Sequence, residues 1–146
     1  MEYYEEYSVG DTYRTGGRTV SESDIVSFIE LCGLYEPIFT DIEHIKENTP
    51  FDERFAPGEL ITDFALGNVI RSGFIEGAVS MLELNTTFDA PVFAGDTIYV
   101  DIEVVDKSET SNPDHGVVTF EYTIENQNEE RVARSEETAL IRRRGE

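Results

Sequence analysis

Residues 97–105 constrain the fold more than any other stretch. They read Thr-Ile-Tyr-Val-Asp-Ile-Glu-Val-Val, so Ile98, Val100, Ile102 and Val104 alternate with Thr97, Tyr99, Asp101 and Glu103. Successive side chains of a strand point to opposite faces, so this pattern predicts a strand with one buried side. The neighbouring segments continue the theme. Val79 to Asp89 is a candidate strand broken by Pro91. A polar turn spans Ser108 to Gly116, with Asn112-Pro113-Asp114 at its centre. Val117 to Asn126 and Arg131 to Ile141 then form a hairpin about Asn126-Gln127-Asn128-Glu129. A sheet with one apolar face needs a covering layer. The segment opened by Pro57-Gly58 supplies it, because Leu60, Ile61, Phe64, Ala65, Val69 and Ile70 share one broad apolar face at helical spacing. Gly67 and Gly73, poor helix formers, mark close packing or the helix end. The order predicts an α+β fold: a curled antiparallel sheet wrapped around one long central helix.

The first third of the chain is less regular. Met1 to Gly10 is expected to be a loosely attached arm. Thr12 to Val20 reads as a short strand with an irregularity at Gly16-Gly17. Ser21 can cap a helix, with Asp24 three residues on close to a capping box. Ile25, Phe28, Ile29 and Cys32 follow at helical spacing, and Gly33 is a natural terminator. Cys32 reads as a small buried hydrophobe rather than a nucleophile. It is the sole cysteine, so no disulfide forms within the chain. Leu34 to Arg54 is irregular apart from one short helix over 42–47. His44 and His115 have no Cys or His at ligand spacing, so no metal site is expected.

Charge narrows the partners. With 31 acidic against 11 basic residues the formal net charge is −20, and only Lys46 and Lys107 are lysines. Phosphate neutralisation needs a basic patch, so a nucleic-acid partner is disfavoured. Arg142-Arg143-Arg144 is the only basic cluster and reads as a solvated terminus. Acids spread throughout, with few lysines, point to a high-salt cytosol, where screening relieves repulsion. No apolar run reaches the roughly 20 residues of a membrane-spanning helix. The opening residues lack the order of a signal peptide, so a cytoplasmic protein is expected. No GxSxG, GxGxxG or phosphate-loop pattern occurs.

Three stretches carry a resemblance. They are Gly33-Leu34-Tyr35-Glu36-Pro37-Ile38-Phe39-Thr40-Asp41, the run FAPGELITDFALG ending at Gly67, and FDAPVFAGDTIYVDIEV from Phe88. Together they resemble the MaoC-like (R)-specific enoyl-CoA hydratase family of hotdog-fold proteins. The first segment of that family typically reads GDxNPxHxD, and its Asp and His carry the hydration. Here the Gly, Pro and final Asp stand in register, but Leu34 and Phe39 occupy the Asp and His positions. The resemblance implies one hotdog domain over residues 1–146. It also implies a homodimer with acyl sites between protomers, and an acyl-CoA or acyl-carrier thioester as ligand, with no other cofactor.

In such a frame the Gly58 amide, at a helix N-terminus, polarises the thioester carbonyl and stabilises the enolate-like oxygen. Pro57 replaces the His that more often precedes that glycine. Leu34, Tyr35, Phe39, Pro57 and Asp63 are the expected neighbours of the substrate. Glu36 and Asp41 are the candidate catalytic carboxylates, since Leu34 and Phe39 can neither donate nor take a proton. In a chain this acidic each carboxylate reads more often as surface charge, Pro57-Gly58 also reads as a plain helix start, and Gly95-Asp96 reads as a turn. The implied activity is acyl-thioester hydration or dehydration with a divergent site. The alternatives are an inactive hotdog subunit that binds thioesters or a partner, and a thioesterase using Asp63 or Glu59.

Overall fold

The computed structural model describes residues 1–145. Its strands are β1 (Thr12–Arg14), β2 (Arg18–Thr19), β3 (Ala78–Phe88), β4 (Thr97–Glu109), β5 (His115–Glu125) and β6 (Arg131–Arg142). They form one antiparallel sheet in the order β1-β4-β5-β6-β3, with β2 also paired to β4. The helices are α1 (Glu22–Cys32), α2 (Pro37–Thr40), α3 (Ile42–Asn48) and the fifteen-residue α4 (Gly58–Ser72). The predicted alternation in β4 is realised: Ile98, Val100, Ile102 and Val104 are buried while Thr97, Tyr99, Asp101 and Glu103 are not. Each such side chain contributes about 1.5–3 kcal/mol of hydrophobic stabilisation. Leu60, Ile61, Ala65 and Val69 of α4 join these residues in a common core. This is the hotdog arrangement.

Local signals hold at α1. The Ser21 side chain accepts from the Asp24 amide at 3.0 Å, and Asp24 Oδ2 accepts from the Ser21 amide at 2.9 Å, completing a capping box. Gly33 ends the helix at φ 70°, where a Cβ is unfavourable. The turn at Gly95-Asp96 is also present, with Asp96 accepting from the Phe93 amide.

Several expectations need correction. Met1 to Gly10 is not a loose arm: Tyr4 and Tyr7 are buried in the core. The Tyr7 hydroxyl donates to the carbonyls of Met1 and Phe74, and the Tyr4 ring lies on Gly116, where a Cβ would come within 2.2 Å of it. Arg142, Arg143 and Arg144 are not merely a solvated end. They pair with Glu2, Glu5, Glu109 and Glu6, and Arg143 lies 5.0 Å from the Tyr4 ring centroid. Cys32 is exposed although it stands on the same helical face as Ile25 and Ile29: α1 buries those two residues but not its last turn. In α4, Ile70 is exposed and Phe64 only partly buried, its ring covered by the Arg18 guanidinium at 3.9 Å. The single strand expected over 12–20 is two short ones separated by Thr15–Gly17, and α2 had no counterpart in the sequence reading.

β3 is the outer strand, and its free edge carries exposed Val79, Met81, Leu82, Leu84 and Phe88. Its register against β6 slips at Val79 and at Leu82, giving two bulges.

Candidate functional site

The irregular stretch before α4 is organised by phenylalanines. Phe39, Phe55, Phe51 and Phe93 form a chain of edge-to-face contacts, with successive ring centroids 6.0, 5.3 and 5.5 Å apart. Phe55 bridges to Phe93, and the Ala56 amide donates to the Val92 carbonyl at 2.8 Å. These contacts fix the entry of the chain into α4. Pro57 sits at the N-cap and supplies no side-chain acceptor. The opening amides of a helix have no intrahelical partner, and the dipole concentrates partial positive charge there.

A cavity of about 450 Å³ opens at this point. Gly58, Glu59 and Ile61 of α4 border it, with Phe51 and Phe55 on one side and Phe88 on another. Phe88 leans on the Gly58 α-carbon: an added Cβ would lie 2.7 Å from the tip of its ring. The result is a mostly apolar, aromatic-walled recess, with Glu59 and Asp89 also in its lining, beside backbone donors that have no partner among the described residues. Such a recess suits an apolar ligand with one carbonyl oxygen.

Of the residues singled out from sequence, Gly58 borders this cavity. Phe39 reaches its wall through Phe55. Leu34 is half-buried against the core, its amide bonded to the Ile29 carbonyl at 3.0 Å. Pro57 is buried beneath the helix start. Tyr35 is exposed and its hydroxyl donates to the Glu30 carbonyl at 3.3 Å. Glu36 is exposed at the N-cap of α2, and its carboxylate has no partner among the described residues. Asp41 caps α3, accepting from the His44 amide at 3.1 Å. Asp63 is exposed on α4, and none of Tyr35, Glu36, Asp41 and Asp63 borders the cavity. Among the described residues, no group of three His, Cys, Asp or Glu side chains is placed to hold a metal ion, and no helix is long and apolar enough to cross a membrane.

Sequence reasoning missed Phe51, Phe55 and Phe88, which lacked any signal beyond hydrophobicity. It also missed Glu137, buried and hydrogen-bonded by the Tyr122 hydroxyl at 2.9 Å. A signal for Glu137 existed: it occupies an inward position in the alternation of β6.

The comparisons with known proteins agree with this fold. The model of the MaoC like domain matches residues 5–126. An uncharacterised protein, YdeM from Bacillus subtilis, is 28% identical over 142 residues, covering 95% of this chain and 98% of that protein. A 3-hydroxybutyryl-CoA dehydratase from Methylorubrum extorquens is 33% identical over 104 residues, which is 71% of this chain and 64% of that enzyme. Among solved structures, an Archaeoglobus protein described as a monoamine oxidase regulatory protein superposes with a TM-score of 0.89 at 32% identity, covering 98% of this chain and 95% of that one.

Proposed function

Because this chain belongs to the MaoC-like domain family, whose members are hydratases and dehydratases, we propose that it binds an acyl thioester, linked to CoA or an acyl carrier, in a hydratase/dehydratase-type site with diverged proton-transfer groups. One observation carries this reading: the uncapped N-terminus of α4 at Gly58 faces an apolar recess. A thioester carbonyl bound there is polarised by the amide and the helix dipole, and negative charge developing on its oxygen is stabilised in place. Phe51, Phe55 and Phe88 exclude water and raise the strength of that interaction.

Hydration needs a base for water and an acid for the α-carbon. Leu34 and Phe39 supply neither. Asp41 is engaged as a helix cap. Glu36 has no partner among the described residues and is the carboxylate of that run we assign to water activation, although it lies outside the lining of this cavity within one copy. Glu59 at the cavity rim favours a second reading, thioester hydrolysis. A binding subunit without chemistry is the remaining one.

The test is crotonyl-CoA hydration and acyl-CoA hydrolysis in molar KCl. Hydration abolished by Glu36→Gln and kept by Asp41→Asn supports the enzyme; hydrolysis abolished by Glu59→Gln supports the second reading. If the parent is inactive, gain of hydration in Leu34→Asp/Phe39→His shows an intact frame lacking only its dyad. A folded double variant with no gain, and a parent that binds no acyl-CoA, would leave a structural subunit.

The apolar free edge of β3 is suited to pairing with a second copy, and we assign the protein a homodimeric state. We assign its acidic surface to a high-salt cytosol.

A further inference from the structure

Among the described residues Glu137 is the one buried acid, 6% exposed, in a chain with 31 acids. It lies between Phe120 of β5 and Leu84 of β3 on the inner face of the sheet. Its Oε2 accepts from the Tyr122 hydroxyl at 2.9 Å, and Tyr122 is itself buried. The other oxygen has no hydrogen bond among the described residues, yet no fully enclosed side-chain oxygen there is left unpartnered. That oxygen therefore opens onto the space beside it, a cavity of about 250 Å³ between α4 and β3. Leu66, Ile70, Ile75 and Met81 help to wall this cavity, and Tyr122 and Glu137 form its polar spot.

A carboxyl so placed is expensive. Burial raises its pKa, against the opposing hydrogen bond from Tyr122. Buried polar groups are hydrogen-bonded to protein or to ordered water, and the second oxygen of Glu137 has no protein partner among the described residues. This one keeps an oxygen for something else.

Its position relative to Gly58 follows from the register. The Phe88 ring rests on Gly58, and Phe88 pairs with Ala133. The next inward pair is Thr86 with Ser135, whose hydroxyls are 2.8 Å apart. Leu84 with Glu137 follows. Glu137 thus lies four residues beyond Ala133 along β6, about 13 Å at strand spacing. That is too far for proton transfer at a carbonyl on Gly58 of the same copy. It is a suitable distance for contact with the far part of an acyl chain.

We propose that the cleft between α4 and β3 receives the distal end of the acyl group, and that the Glu137–Tyr122 pair selects chains bearing a hydroxyl there over plain alkyl chains. The inference rests on the acyl-thioester reading above. A hydroxyl both donates and accepts, so it satisfies the free oxygen of Glu137 in either protonation state. An alkyl chain buries that oxygen unpaired, which is the stronger source of discrimination.

The experiment is calorimetric binding, in molar KCl, of ω-hydroxyacyl-CoA thioesters of increasing length and of their alkyl counterparts. At one chain length the parent should bind the hydroxylated ligand about tenfold more tightly. Glu137→Met should reverse the preference, Tyr122→Phe should weaken it, and Glu137→Gln, whose amide still donates and accepts, should keep most of it. Thioesters bound with no hydroxyl preference in the parent, or with a preference that survives Glu137→Met, would overturn the inference while leaving the proposed function standing. The cavity would then belong to the interface between copies. A parent that binds no thioester at all overturns both. If Glu137→Met fails to fold, absence of the preference in the parent still overturns the inference, and a preference undiminished in Tyr122→Phe does the same.

Discussion

Replacing Gly58 by Ala separates the fold from the site. The new methyl would sit 2.7 and 2.9 Å from two atoms of the Phe88 ring, so that ring must move. Phe88 is 53% exposed, which leaves room for displacement. An off-rotamer ring costs about 0.5–1.5 kcal/mol. Ala in place of Gly at a helical position returns up to about 1 kcal/mol. The two nearly cancel, so the melting temperature should stay within about 4 °C of the parent. Binding should not be spared, because the methyl and the displaced ring both intrude on the recess beside the amide. Loss of one hydrogen bond to a carbonyl corresponds to about tenfold in affinity. For an enzyme, loss of an oxyanion donor costs about 10²–10³ in kcat. The assay is a melting curve alongside calorimetric titration with crotonyl-CoA. Phe88→Ala should recover part of the loss in the Gly58→Ala background, as expected for two side chains in contact. Unchanged affinity in Gly58→Ala would refute the placement of the carbonyl at this helix start.

Other outcomes are equally open to measurement. The melting temperature should rise between low salt and molar KCl as the charge of −20 is screened, and a flat response would remove the salt argument. Glu137→Gln should stabilise most at neutral pH. The folded-state pKa of Glu137 is raised, so its favourable contribution is full below the ordinary value of 4.5 and is lost as pH rises through the folded value; a variant-minus-parent difference in melting temperature that does not grow with pH would contradict this. Tyr7→Phe removes the hydroxyl proton shared between the carbonyls of Met1 and Phe74, at 2.7 and 3.2 Å, and should cost about 1 kcal/mol by urea unfolding. Leu84→Lys on the β3 edge should give a monomer by sedimentation; an unchanged mass would move the interface elsewhere.

Much of the fold was legible because the deciding signals are local. The alternation in β4, the Ser21–Asp24 cap, Gly33 and the turn after Asn126 each fix backbone geometry within a few residues. What escaped the sequence depended on distant partners. Tyr4 and Tyr7 are buried because Gly116 and Phe74 receive them, not because of anything in residues 1–10. Cys32 was misjudged because helical spacing gives the face a residue stands on, not how far along α1 the core extends. At the site, the Pro-Gly pair marked the helix start that the structure has, while the role of Gly58 came from the family resemblance. The aromatic wall could not, since Phe39, Phe51, Phe55 and Phe88 come from separate elements. Glu136 and Glu137 look alike in sequence; strand parity alone decides which one faces inward.

The two edges of the sheet differ in what they can recruit. On the far side of β4, pairing is already taken by two fragments of three and two residues, interrupted at Thr15–Gly17. That edge offers no continuous row of amides and carbonyls to a newcomer. β3 offers eleven residues, twisted by its bulges at Val79 and Leu82. Each molecule therefore has a single sticky strand, and joining two of them consumes both. In a dimer joined through β3, growth would stop at a closed pair instead of running on into a filament. For such a dimer, the number of apolar strands would limit association as much as the acidic surface does.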